Sequence, residues 1–146
     1  MKIHEYQAKE LLAAAGAPVP KGKIARTAAE ATRHFDDFGG KPVVLKAQVH
    51  AGGRGKGRFE GSGSDIGGVK FTTKRDDVAK HAETMFKFPL VTKQTGAKGQ
   101  KVSTLLVQEA ADIAREIYVG MVMDRESGVP ILMASAEGGV DIEEVA

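Results

Sequence analysis

The sequence contains no cysteine. That excludes disulfides, thiolate nucleophiles and cysteine-ligated zinc or iron–sulfur centres, and it suits a reducing compartment. No apolar run approaches the length of a membrane span, and Met1-Lys2-Ile3-His4-Glu5 lacks the uninterrupted apolar core of a secretory signal. The reading is a soluble protein of the cytoplasm. Charge is nearly balanced: 21 Lys and Arg against 19 Asp and Glu leave a formal net charge of +2, which is no warrant for nucleic-acid binding. Aromatic residues make up only 5%, and stacking platforms are scarce around the basic segment described below. No histidine or carboxylate pattern has metal-ligand spacing, so no metal ligand is assigned.

At 146 residues the chain can bury a core without staples, as one domain or one lobe of a larger one. Residues 3–15 are good helix formers that place Ile3, Tyr6, Leu11 and Leu12 near one face, and Gly16, Pro18 and Pro20 end the run. A short strand at 23–26 meets Thr27-Ala28-Ala29-Glu30, which has capping-box spacing and opens a second helix. Ala28, Ala31, Phe35 and Phe38 form its buried stripe, and Gly39-Gly40 closes it. Strands at 42–48 and 69–72 predict a hairpin interrupted by a flap over about residues 50–68. Thr73 is the expected cap of a third helix over 74–87, with Val78, Ala82, Met85 and Phe86 inward. Extended structure resumes at 89–91, a loop follows at 95–101, and 104–108, 116–124 and 129–134 read as strands, the last two joined by a turn at 124–128. This order lacks the strict alternation of a doubly wound fold and argues for an α+β arrangement with antiparallel hairpins. The chain stops at Glu143-Glu144-Val145-Ala146, helix formers without a cap, as though an element had been cut.

Glycine is where the chemistry gathers. The chain has 18, and Gly52, Gly53, Gly55, Gly57, Gly61, Gly63, Gly67 and Gly68 fall in the flap. An apolar strand runs into Lys46-Ala47-Gln48-Val49-His50-Ala51-Gly52-Gly53-Arg54-Gly55-Lys56-Gly57-Arg58, a stretch with no acidic residue. Glycine permits positive φ and close backbone approach, so amide N–H groups can converge on an anion that Lys46 and Arg54 neutralise. Neither standard phosphate fingerprint is matched, and a solvated basic hairpin tip stays open as the alternative. Lys46 is sharper than the loop lysines, because strand alternation points it away from the side taken by Leu45 and Ala47. Its plainer reading is an edge-strand lysine that deters aggregation. Gln108, Glu109, Asp112, Glu116 and Asp124 read either as a solvated face or as a hinge that contacts adenine and ribose. His50, without a visible carboxylate partner, is assigned no phosphoryl-acceptor role.

Four blocks, taken together, carry a resemblance. Ile3-His4-Glu5-Tyr6-Gln7-Ala8-Lys9, the Lys46–Lys56 block, Ala110-Ala111-Asp112-Ile113-Ala114-Arg115-Glu116 and Glu137-Gly138-Gly139-Val140-Asp141-Ile142-Glu143 resemble, in this order, the β-subunit family of ADP-forming succinyl-CoA synthetases. The resemblance spans the chain and corresponds to the N-terminal portion of that family's ATP-grasp domain. It implies a ligase that couples succinate, CoA and ATP to succinyl-CoA, ADP and phosphate through a phosphohistidine on a partner α subunit. By this resemblance Lys46, Gly53, Arg54 and Gly55 hold ATP phosphates, and Gln108, Ala111 and Glu116 line the adenosine site. The family's Mg2+ ligands are expected beyond residue 146, which leaves this stretch alone inactive. Localisation is then the bacterial cytoplasm, or the mitochondrial matrix in a eukaryote. Gln108 stands where related sequences often carry glutamate, the 59–66 loop looks longer than in many relatives, and Pro20 matches ADP-forming members. Malate–CoA ligase and ATP-citrate lyase share this lobe, and nothing in the chain chooses the organic acid. A non-catalytic anion or RNA-binding module built on Arg54, Lys56 and Arg58 is the reading outside the enzyme class.

Overall fold

The computed structural model describes residues 2–136 and residue 138, and it groups the chain into two units, Met1–Ala111 and Asp112–Ala146. The expected helical ending at 143–146 lies outside the described residues, as do Glu137 and 139–143 of the last motif. In the first unit the order is α1 (Glu5–Ala14), β1 (Gly22–Ala25), α2 (Ala28–Asp37), β2 (Val43–Ala47), a 3₁₀ turn (Arg54–Lys56), β3 (Arg58–Phe59), β4 (Val69–Thr72), α3 (Arg75–Lys87), β5 (Leu90–Val91) and β6 (Leu105–Glu109). Four strands form one sheet in the order β1-β6-β2-β4, and each neighbouring pair is antiparallel. The α+β expectation holds.

Strand alternation divides the sheet chemically. Val43, Leu45 and Ala47 of β2, Leu105 and Val107 of β6 and Ala25 of β1 share one face and are buried with Ala31 and Phe35 of α2 and Val78, Ala82 and Met85 of α3. The opposite face carries Lys46 in register with Leu106, and Val44 in register with Gln108. One face makes the core, and the other carries polar chemistry.

Helix α2 starts as its sequence predicts: Thr27 Oγ1 accepts from the Glu30 N–H at 3.1 Å. The Glu30 carboxylate reaches one residue further back than a standard box and accepts from the Arg26 N–H at 2.6 Å. Helix α3 differs from expectation. Its N-cap is Lys74, whose side chain makes no cap hydrogen bond, and the first-turn acids Asp76 and Asp77 supply the negative charge that favours this end. A larger correction concerns α1. No residue of this helix is buried, and Ile3, Leu11 and Leu12 are exposed, so the expected apolar face is not what docks it. Its contacts to the sheet are polar and are described below.

The flap is not a solvated tip. Phe59 is 2% exposed and Ile66 3% exposed, both within the core cluster, and β3 pairs antiparallel with β5. Close backbone approach holds the return: a Cβ on Gly67 would lie 2.3 Å from the Gly55 carbonyl oxygen, so a side chain there requires the loop to move. Ser62 closes the intervening turn by donating from Oγ to the Phe59 carbonyl at 2.7 Å.

The second unit is a hairpin of β7 (Tyr118–Met123) and β8 (Pro130–Ser135), with Tyr118 opposite Ser135 and Met123 opposite Pro130. Its turn follows the sequence reading, for Gly128 has φ +68 and donates to the Asp124 carbonyl at 2.9 Å. Val119, Met121, Met123 and Leu132 are exposed. Among the described residues no helix is long and apolar enough to cross a membrane.

The packed flap gives a test of this architecture. Phe59→Ala is expected to destabilise the protein by about 3–5 kcal/mol, as aromatic truncation in a core does, against about 0.5 kcal/mol or less for a residue on a solvated tip. Urea unfolding followed by circular dichroism distinguishes these outcomes.

Candidate functional site

Glu5, at the start of α1, sits over the polar face of the sheet. Its Oε1 accepts from Lys46 Nζ at 2.9 Å and its Oε2 from Arg54 Nη2 at 2.9 Å. Lys9 Nζ, one helical turn along, lies 3.3 Å from the same Oε1 and also donates to Gln108 Oε1. Gln108, Lys9, Glu5, Lys46 and Arg54 thus form one connected network. The Tyr6 N–H donates to Gln48 Oε1 at 3.2 Å, and Gln48 Nε2 donates to the Lys46 carbonyl at 3.0 Å, which fixes the helix start against β2. This polar docking replaces the buried apolar stripe that α1 lacks.

The charges are unequal. One carboxylate faces Lys9, Lys46 and Arg54, so these four groups together carry an excess of positive charge. Partial burial pushes the Glu5 carboxyl up, but the Lys46 hydrogen bond and charge, followed by those of Arg54, outweigh it and bring the pKa from 4.5 to about 2. Lys9 moves the other way for a base. Burial and repulsion from Lys46 exceed the attraction of Glu5 and lower its pKa. The carboxylate is strongly held because the cations outnumber it, and Lys9 bears part of the imbalance.

Arg54 is positioned by the glycines around it. Gly53 precedes the 3₁₀ turn with φ +67, a conformation that favours glycine. Arg54 Nη1 donates to the Ala47 carbonyl at 2.7 Å, while the Arg54 carbonyl accepts from the Gly68 N–H at 2.8 Å and the Gly57 N–H at 3.2 Å. The Gly52 N–H donates to Gln94 Oε1 at 2.7 Å. These three glycine amides shape the loop from within instead of converging on one anion. Gly55 has nothing within 4 Å of where a Cβ would stand, while its carbonyl packs against Gly67. Beside the cluster, the His4 and His50 rings stack with centroids 4.0 Å apart and planes 14° apart. His4 Nδ1 is buried without a hydrogen-bond partner, and burial, with His50 and Arg54 nearby, lowers the His4 pKa.

Of the residues singled out in the sequence, Lys46, Arg54 and Gln108 meet in this network, with Gly53 and Gly55 flanking Arg54. Ala111 lies past the end of β6 in the same unit; Glu116 belongs to the second unit and is exposed. Gln108 is 6% exposed and uses its side chain, through Lys9. Arg58, counted with the basic flap, pairs with Glu60 at 3.2 Å. A groove of ≈ 670 Å³ opens beside the network, with Tyr6, Val19, Pro20, Ile24 and Leu106 among its walls. Sequence reasoning missed Glu5 and Lys9. Their spacing of four residues on a helix was the available signal, but it points equally to an ordinary surface pair.

The linkage has a definite sign. A carboxyl whose folded pKa is depressed contributes stability above its unfolded pKa, and that contribution is lost as pH falls through the folded value. The shift from 4.5 to about 2 at Glu5 corresponds to roughly 3 kcal/mol. Glu5→Gln is therefore expected to cost about 2–4 kcal/mol at pH 7, with the gap to the parent closing between about pH 4.5 and pH 2. Urea titrations at a series of pH values measure this; a gap that ignores pH rejects the network as its source.

Comparison with known proteins adds context to this geometry. The β subunit of succinate–CoA ligase [ADP-forming] from a Nitratiruptor species is 51% identical over 146 residues, 100% of this chain and 35% of the relative. The β subunit of the same name from Caulobacter vibrioides is 50% identical over 147 residues, covering 100% of this chain and 37% of the relative. The chain thus spans about a third of the length of these relatives. Among solved structures, the dinucleotide forming acetyl-coenzyme A synthetase 1 of Ca. Korarchaeum cryptofilum, in complex with coenzyme A, Ca-AMPCP and HgCl+, matches with a TM-score of 0.65 and 25% identity over 91% of this chain and 52% of that one. D-alanyl-alanine synthetase A from Vibrio cholerae shares the fold, with a TM-score of 0.51 and 17% identity over 88% of this chain and 31% of that one. The ATP-grasp domain profile matches residues 2–146, and with a basic cluster on an antiparallel sheet at its centre the chain belongs to the ATP-grasp family.

Proposed function

We propose that the chain is the N-terminal, nucleotide-binding part of the β subunit of an ADP-forming succinate–CoA ligase. The observation that carries this reading is the 51% identity to such a subunit over all 146 residues of the chain. The whole enzyme would couple succinate, CoA and ATP to succinyl-CoA, ADP and phosphate, with an α subunit as partner, in the cytoplasm.

In this reading Lys46 and Arg54 neutralise the ATP phosphates while Gly53 and Gly55 let the backbone approach them. Phosphoryl transfer needs positioning and charge neutralisation more than covalent chemistry from the protein, and an excess of cations on a folded sheet face provides that. Gln108, Ala111 and Glu116 would line the adenosine side. The partly apolar groove walled by Tyr6, Val19, Pro20, Ile24 and Leu106 adjoins Lys9, the residue that links Gln108 to the phosphate side. Mg2+, which accompanies ATP in such chemistry, is not matched here. Among the described residues no group of three or more His, Asp or Glu could hold it, so no step is assigned to these residues through the metal.

Two measurements test the proposal. The intact subunit with its partner is expected to sustain repeated turnover of ATP to ADP only when succinate and CoA are both present, beyond the single equivalent that phosphorylates the partner's histidine, and continuous turnover independent of both would reject the assignment. Calorimetric titration of the intact subunit with Mg-ATP is expected to show roughly 10- to 100-fold weaker binding for Lys46→Ala, the loss of a charge-assisted hydrogen bond. Unchanged affinity removes Lys46 from the phosphate site.

A further inference from the structure

We infer that Glu5 is a positioning residue of the nucleotide site that occupies Lys46 and Arg54 when no phosphate is present and grades the site's affinity by ligand charge. This rests on the reading of Lys46 and Arg54 as phosphate ligands. Both Glu5 oxygens are taken, Oε1 by Lys46 and Oε2 by Arg54, each at 2.9 Å. A phosphate oxygen that binds either cation must displace or share the contact that a carboxylate oxygen already makes. The side chain of Glu5 is only 20% exposed, so the carboxylate cannot easily withdraw into water.

Two consequences follow from Coulomb's law. A carboxylate within a few ångströms of the bound phosphates repels them, and the repulsion grows with each negative charge on the ligand. An uncharged nucleoside experiences none of it. Glu5 also holds the lysine and arginine heads apart and in place, which a neutral amide of the same shape does in part through its remaining acceptor. Substitution of the charge alone thus separates the electrostatic role from the structural one. A scaffold residue affects every ligand alike, whereas a charge-reading residue affects them in order of charge.

The experiment compares adenosine, AMP, ADP and ATP binding to the intact protein and to Glu5→Gln by calorimetry at fixed ionic strength. Glu5→Gln is expected to bind ATP about tenfold more tightly, with a smaller gain for ADP and AMP and adenosine unchanged within about twofold. The gain is expected to shrink as salt is raised. Glu5→Asp, whose shorter side chain loosens its hold on Lys46 and Arg54, should keep the same order with about a threefold gain for ATP, and it decides the question if Glu5→Gln does not fold. Equal effects on all four ligands, weaker ATP binding or no change overturns the inference while nucleotide binding by the parent protein stands. Absence of nucleotide binding by the parent overturns the functional reading and this inference with it.

Discussion

The arrangement depends on one carboxylate serving three cations. Lys9, Lys46 and Arg54 come from a helix, a strand and a loop, and without Glu5 they would bring like charges together on a partly buried sheet face. Low effective dielectric makes that repulsion costly. Glu5 reduces it and at the same time anchors α1, which has no buried residue of its own to do so. The position of the first helix and the assembly of the basic cluster are therefore one event. Loss of the carboxylate would loosen both.

The flap supplies the third member of this set by a different means. Arg54 arrives at Glu5 because the loop around it is closed by backbone contacts, with Gly57 and Gly68 donating to the Arg54 carbonyl and Gly67 pressed against Gly55. Phe59 and Ile66 then fasten the loop to the core. Glycine here brings order by removing volume where two strands of backbone meet, at the conformational cost that glycine carries in the unfolded chain. A long glycine-rich segment can consequently be rigid where it matters for a charged side chain.

Local patterns were readable. The strand at Val69–Thr72, the Thr27 cap and the direction of Lys46 follow from alternation and capping chemistry within a few residues. What escaped had two causes. Glu5 meets Lys46 across 41 positions and Arg54 across 49, and no local period encodes a contact at that separation. Helix α1 carries Leu11 and Leu12, which nevertheless remain exposed, because polar contacts fix the helix and an apolar stripe reports only where burial does so. Thr73 failed as a cap for a related reason: acidic residues in the first turn of α3 meet the same electrostatic need without a side-chain hydrogen bond. The candidate site was half legible, since Lys46 and Arg54 stand in a recognisable block while Glu5 and Lys9 stand in a helix elsewhere.

A protein that binds a polyanion faces two opposed requirements. Before the ligand arrives, the cations that will receive it must fold together without it; once it arrives, nothing should compete for them. A fully paired cluster meets the first requirement and fails the second, and an unpaired one does the reverse. One carboxylate among three cations lies between these limits: it leaves a positive excess, which on the proposed reading would attract phosphate, and enough attraction to hold the cluster in place. The opposite shifts of Glu5 and Lys9 are the visible result, the anion oversupplied with partners and a base undersupplied. If this cluster is the phosphate site proposed above, an additional acid would weaken binding and the loss of this one would weaken folding, so that the placement of a single negative charge would set the balance between stability and affinity.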